Sequence, residues 1–161
     1  MYALLVAFCK WLEGTWWGTD ARTSLWAYPF IQVIHFSGLS LWVTTNLVVD
    51  LRLLGVGRKN QTAAQLSEDL FVWNWISFCI VALGGFLLFS ATAATFVANP
   101  AFRVKLGILF PIAFVWHIFV QRKTRTWGLI ENTPVVAKLA GLFELLLWLS
   151  IVTAAVEIPN Y

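Results

Sequence analysis

A chain of 161 residues that is 60% hydrophobic and only 12% charged, with a net charge of +3, lacks the polar residues that a water-facing surface needs; soluble domains average about 25% charged residues. Its apolar residues come in runs long enough to cross a hydrocarbon core, for which a helix needs about 20 residues. The Lys and Arg residues gather at the ends of those runs, which reads as membrane topology and not as a nucleic-acid-binding surface.

The first segment, residues 2–17, is apolar through Cys9 but carries Lys10 and Glu13. It is too short to span, and no basic region precedes it as in a signal peptide. With Trp11, Trp16 and Trp17 as anchors, it is expected to lie as an amphipathic helix in the membrane surface, followed by a polar turn from Gly18 to Ser24. A first span is expected from about Leu25 or Phe30 to Val49, ending at Asp50-Leu51-Arg52, and a polar loop over 58–69. A second span runs from about Leu70 to Val97. It is broken by Asn99-Pro100, because proline disfavours a helical residue before it. The third runs from about Ala101 to Val120, kinked at Pro111, and the basic residues Arg122, Lys123 and Arg125 follow it. The fourth starts at Glu131-Asn132-Thr133-Pro134, with Thr133 as cap and Pro134 at the first helical position, and ends near Glu157-Ile158-Pro159. The fold expected is an all-α integral membrane protein. An interfacial amphipathic helix and turn (1–24) precede a four-transmembrane-helix bundle (25–161).

The loops after spans one and three carry Arg52, Arg58, Lys59, Arg122, Lys123, Arg125 and Lys138. The opposite side carries Lys10, Arg22, Arg103 and Lys105. The excess on the first side makes it cytoplasmic by the positive-inside rule. Both termini are then periplasmic in a multi-pass protein of the bacterial inner membrane. Cys9 and Cys79 lack metal-ligand spacing, so neither a disulfide nor a zinc site is expected.

Both histidines fall inside predicted spans, where an ionisable side chain is costly and therefore a functional candidate. His35, Gly38, Trp42 and Asn46 recur at helical spacing on one face of span one. That stripe suits a haem pocket, with His35 as axial ligand and Trp42 as a wall, or a polar helix-packing seam. In span two, Gly84, Gly85, Ser90, Ala91, Ala93 and Ala94 either let helices pack closely or leave room for a cofactor. Arg103 and Lys105 begin span three on the level of His35, placed for haem propionates or another anionic group, or snorkelling to the interface. His117 is expected about 10–15 Å deeper, where sharing one iron with His35 needs a shift of a full turn or more. Glu144, the most deeply placed acid, is a proton-relay candidate or a hydrogen-bond partner for His117, and Glu157 lies back near the level of His35. Copper transport is poorly served by a chain whose single Met is residue 1.

His35 followed seven residues later by Trp42, with Arg52 at the helix end, resembles the first histidine helix of the HemJ-type membrane protoporphyrinogen oxidases. Lys105-Leu106 opening span three, with His117 at its far end, resembles that family's Lys-Leu helix, and Glu131-Asn132-Thr133-Pro134 is a weaker echo. The copper-resistance (CopD-like) membrane proteins share the plan. The resemblance covers about residues 28–157 and implies a four-helix haem b protein with His35 as axial ligand and Lys105 as a site residue. Asp50 before Arg52 and the Trp-rich N-terminal helix depart from the oxidase pattern. Three functions follow as expectations: a b-type haem protein exchanging electrons with a quinone or partner protein; a porphyrinogen oxidase-like enzyme; or a cofactor-free accessory or scaffold subunit. The long apolar helix faces suit a homo-oligomer or a larger membrane complex.

Overall fold

The computed structural model describes residues 2–57, 60–127 and 133–158, which are helical apart from short connections. Arg58, Lys59, Glu131, Asn132 and Pro159 lie outside the described residues. The elements are α1 (Tyr2–Glu13), α2 (Trp16–Thr23), α3 (Ala27–Leu53), α4 (Ala63–Ala91), α5 (Ala93–Ala98) and α6 (Pro100–Val104). A π-helical turn (Lys105–Leu109), α7 (Phe110–Trp127) and α8 (Val135–Val156) complete the chain. The four long helices form a ring in which α3 packs on α4, α4 on α7, α7 on α8 and α8 on α3. Three helical stretches, Ala63–Ala91, Pro100–Trp127 and Val135–Val156, are long and apolar enough to cross a membrane.

The N-terminal segment differs from the single surface helix expected over 2–17. It breaks at Gly14-Thr15, where the Thr15 hydroxyl accepts from the Gly18 N–H at 3.3 Å and starts α2. The residues read as a polar turn are therefore helical. Cys9 and Leu12 of α1 are buried against Ala93 and Val97, while Leu4, Phe8 and Trp11 remain exposed. One face of α1 is thus spent on protein contact and the other is left apolar.

These two helices explain how α4 ends. At Thr92 the backbone leaves the helical region (φ −145°, ψ 48°), although neither Gly nor Pro stands there. Such a break frees backbone groups that must find partners. Glu13 accepts the Ala94 N–H at 2.8 Å, and Arg22 Nη1 donates to the Ala91 carbonyl at 3.0 Å. The second span, expected to continue to Val97, is in this way divided into α4 and α5.

The start of α4 also differs from expectation. Thr62 and Gln65 form a reciprocal capping box: Gln65 N–H donates to Thr62 Oγ1 at 3.2 Å and Thr62 N–H to Gln65 Oε1 at 2.9 Å. The polar loop expected over 58–69 accordingly closes at Thr62. The expected Asn99-Pro100 break is present. Asn99 Oδ1 accepts the Phe102 N–H at 3.1 Å, and Pro100 takes the first position of α6. The kink expected at Pro111 takes the form of the π turn just before it, where the Phe110 N–H reaches back five residues to the Lys105 carbonyl. Pro111 has no N–H to give and its ring crowds the preceding turn, so a wider turn relieves both problems. Beyond it α7 runs through Arg122, Lys123 and Arg125 to Trp127, past the expected end at Val120. At α8, Pro134 is the residue before the helix and no side chain among the described residues caps it, so neither Thr133 nor Pro134 takes the position expected.

Candidate functional site

The ring of long helices encloses a polar core to which all four contribute. His117 on α7 is its centre, 5% exposed. Its Nδ1 lies 2.6 Å from Glu144 Oε1 on α8, and its Nε2 lies 3.2 Å from Asn74 Oδ1 on α4. Asn74 in turn donates to Thr45 Oγ1 at 2.9 Å and to Asn46 Oδ1 at 2.6 Å, both on α3. Trp148 Nε1 donates to Glu144 Oε1 at 3.4 Å. Both N–H groups of Asn74 are spent on α3, so its oxygen is what faces His117. With the Asn74 oxygen on one side, Nε2 donates; at Nδ1 the proton shared with Glu144 sits on either partner, as imidazolium with carboxylate or as imidazole with carboxylic acid. The arrangement is an imidazole held between a carboxyl group and an amide.

Not every group in this core is satisfied. Asp50 on α3 is 1% exposed and Glu144 is 2% exposed. One oxygen of each, Asp50 Oδ2 and Glu144 Oε2, has no hydrogen-bond partner among the described residues, and neither has Asn46 Nδ2. Both acids line one cavity of about 20 Å³. That exceeds the roughly 10–15 Å³ needed to hold a water molecule. Ser67, Gln121 and Thr124 also line it. The cavity extends from mid-bundle toward the end at which α3 and α7 finish and α4 and α8 begin. Glu144 lies nine residues into α8, about 14 Å, whereas Asp50 is three residues from the end of α3, about 5 Å. Toward the other end the core is aromatic. Trp42 packs edge-on against Trp148 at 4.3 Å between centroids, and Phe78 against Trp42 at 5.1 Å.

Among the residues singled out by sequence, Trp42 joins His117, with ring centroids 6.0 Å apart. The expected Glu144–His117 hydrogen bond is present. His35 stands apart. Its Nδ1 bonds to the Val81 carbonyl at 2.9 Å, and its ring occupies the notch left by Gly84 and Gly85. A Cβ on Gly84 would come within 2.9 Å of His35 Cβ. Of the two readings for these glycines, the structure shows close helix packing. It also shows the α3 stripe as a seam against α4, since a Cβ on Gly38 would meet Ile80 at 2.7 Å. His35 and His117 contact α4 seven residues apart, at Val81 and Asn74, about 10 Å along its axis. The structure does not bring them to one site. Lys105, half-buried at the start of the π turn, is near enough to His35 for their charges to interact. Arg103 is exposed on α6, and Glu157 caps the C-terminal end of α8 at the same end of the bundle.

Sequence reasoning missed Asp50 and Asn74. Asp50 continues the Trp42–Asn46 stripe by one more step of four, and it was passed over as a helix-end residue. Asn74 sits between Trp73 and Trp75 in an apolar run, where a lone amide is a polar group without a nearby partner in sequence.

Residues 8–159 match the model of a family of unknown function, DUF6644. The chain belongs to that family. No curated protein and no solved structure matches it. The family match carries no link to the HemJ-type or CopD-like proteins.

Proposed function

We propose that the chain is a four-span membrane protein whose bundle core takes up and passes protons. The observation that carries this reading is the pair of fully buried acids, each with one unpartnered oxygen, beside His117 and a water-sized cavity. Polar residues that serve only to join helices are normally satisfied, and ionisable groups inside a membrane mark ion and proton paths. The spacing suits a relay: Asp50 near the helix ends, Glu144 and His117 at mid-bundle, and Trp42 and Trp148 closing the far side. Although α3 is not among the three stretches apolar enough to cross a membrane, its 27 residues exceed the length a span needs. Its Thr45, Asn46 and Asp50 turn inward. The cavity then lies toward the end carrying Arg52, Arg122, Lys123, Arg125 and Lys138, the cytoplasmic side by the positive-inside rule. The exposed Leu4, Phe8 and Trp11 of α1 suit the opposite membrane interface. Under this reading both termini lie on the periplasmic side of a bacterial inner membrane. Infrared difference spectroscopy of the detergent-purified protein tests the reading. A protonated-carboxyl band that appears and disappears with pH, and changes in Glu144→Gln or Asp50→Asn, is the expected result. No titrating band from either acid across the pH range of the folded protein refutes it.

A second reading, a b-type haem redox protein serving a quinone or partner protein, is favoured by one observation. His35 donates its Nδ1 proton to the Val81 carbonyl, which leaves the Nε2 lone pair as the ligating atom. That is the tautomer of metal-bound histidines. Lys105, close enough for its charge to act on His35, is the residue that would meet a propionate. His117 does not fit as a second axial ligand, because both its nitrogens are already hydrogen-bonded. Haem would supply one-electron chemistry at the His35 end, with the carboxylate core at the other. Porphyrinogen oxidation and a scaffold role gain no such observation. Under the haem reading the purified protein has a Soret band that His35→Ala abolishes and His117→Ala retains; a colourless protein excludes it.

A further inference from the structure

We infer that the cavity between Asp50 and Glu144 is a binding site for a small monovalent cation, with Na⁺ competing with a proton for the same two oxygens. The inference rests on the proton reading and extends it to a second ligand.

Charge supplies the first argument. The titratable groups facing the cavity are Asp50 from α3, His117 from α7 and Glu144 from α8, while α4 contributes only neutral Ser67 and Asn74. His117 pairs with Glu144 at 2.6 Å, and that pair is neutral overall whichever partner holds the shared proton. Asp50 remains as a fully buried carboxyl group with no ion partner among the described residues. It is stable there only with one positive charge on it, a proton or a small cation, because burial of an uncompensated charge is very costly.

Geometry and chemistry supply the second. The two unpartnered oxygens are Asp50 Oδ2 and Glu144 Oε2, on residues that are 99% and 98% buried by their exposures of 1% and 2%. Thr124 adds a hydroxyl that donates to the Val120 carbonyl at 2.8 Å, leaving oxygen lone pairs for a cation. Carboxylate and hydroxyl oxygens are hard ligands. A space that accepts one water molecule accepts a dehydrated Na⁺, which is smaller than water. Asp50 lies about one turn from the basic end of the bundle, so the ion has a short entry path.

The test is thermal unfolding of the full chain, purified in detergent and followed by tryptophan fluorescence. NaCl is titrated against choline chloride at constant ionic strength, with KCl as the size control. A ligand bound only to the folded state raises the midpoint saturably. The expected result is a rise of roughly 3–6 °C with Na⁺, less with K⁺, lost in Asp50→Asn and Glu144→Gln and weakened in Thr124→Val. Equal midpoints in Na⁺ and choline overturn the inference, and the wild-type comparison alone decides this if a variant fails to fold. The carboxyl infrared band then separates the two readings. A band that titrates in a protein indifferent to Na⁺ leaves a proton site filled out by water and ends the cation site alone. Loss of both signals ends both readings.

Discussion

Replacing Asn74 by Leu, which has the same branched shape and number of side-chain heavy atoms though a larger volume, removes the amide that joins α3, α4 and α7. Three hydrogen bonds disappear: those to Thr45 Oγ1 and Asn46 Oδ1, and the one from His117 Nε2. Interhelical hydrogen bonds in membrane proteins average about 0.6 kcal/mol each, which sets a floor of roughly 2 kcal/mol for three. The substitution also leaves Asn46 Oδ1 and His117 Nε2 buried without their partner, at about 1–3 kcal/mol per group. The adjoining cavity has room for a water molecule to rescue one of them. The expected loss is therefore about 3–5 kcal/mol, read from reversible unfolding in mixed micelles of rising SDS fraction. The same substitution made in a His117→Leu background should cost less, because one of the orphaned groups is already gone. Contacting residues show coupling of about 0.5–3 kcal/mol in such cycles. A single-mutant loss below about 0.5 kcal/mol, or full additivity with His117→Leu, would mean that the network does not hold the helices as the geometry states.

Gly18→Ala places a Cβ at 2.6 Å from the Leu12 carbonyl oxygen and 2.8 Å from that of Ser90, both backbone atoms that cannot step aside. It should lift α1 and α2 off the end of α4 and open the fully buried Cys9 to maleimide, which labels wild-type Cys9 slowly. Mass spectrometry of the labelled peptide gives the answer. Gly84→Ala brings a Cβ to 2.9 Å from His35 Cβ and 3.2 Å from its Cα, so α3 must move, at about 1–3 kcal/mol. Gly107→Ala meets nothing within 4 Å and should leave stability unchanged or raised by up to about 1 kcal/mol. Thr62→Ala deletes one half of the capping box at the start of α4 and should cost about 1 kcal/mol. The same micelle titration ranks all three.

The long helices were legible because each is a continuous apolar run, and hydrocarbon thickness sets the length of such a run. What lay at their ends was harder to read. Thr62 and Gln65 carry a capping-box spacing, yet the polarity of 58–69 suggested loop. Helix initiation depends on the cap, and the residues after it are free to be polar at a helix end facing water. The break at Thr92 had no local signal, since the residues that make it possible, Glu13 and Arg22, are 81 and 69 residues away from the backbone groups they satisfy. Only a folded chain brings those groups together. Pro111 announced a distortion without its type, because proline forbids one hydrogen bond and leaves the helix several ways to compensate.

The candidate site was legible in its residue types more than in its grouping. Depth along a helix counts well in residues, and it correctly separated His35 from His117. Which neighbour a residue meets depends on rotation and on which helices adjoin, and a single sequence states neither. Trp42 shows the consequence. Its place on the His35 stripe suggested a wall beside that histidine, but two further turns along α3 carry it to the level of His117 and Trp148. Asp50 shows the same effect at the other end of the stripe. Read along the sequence, it is a polar residue closing an apolar run. Read across the bundle, it lies against Gly141, whose missing side chain brings α8 close enough that a Cβ there would sit 3.5 Å from Asp50 Oδ1. Gly141 precedes Glu144 by three residues on the same helix, so the two acids lie about one turn apart along α8. A Cβ at position 141 would make only ordinary contact, at 3.4 Å from the Asp50 carbonyl oxygen and from Leu53 Cβ, so Gly141→Ala should be tolerated. A bulky side chain has no such room. Gly141→Leu should push α8 away from α3, separate Asp50 from Glu144 and weaken any ligand they share.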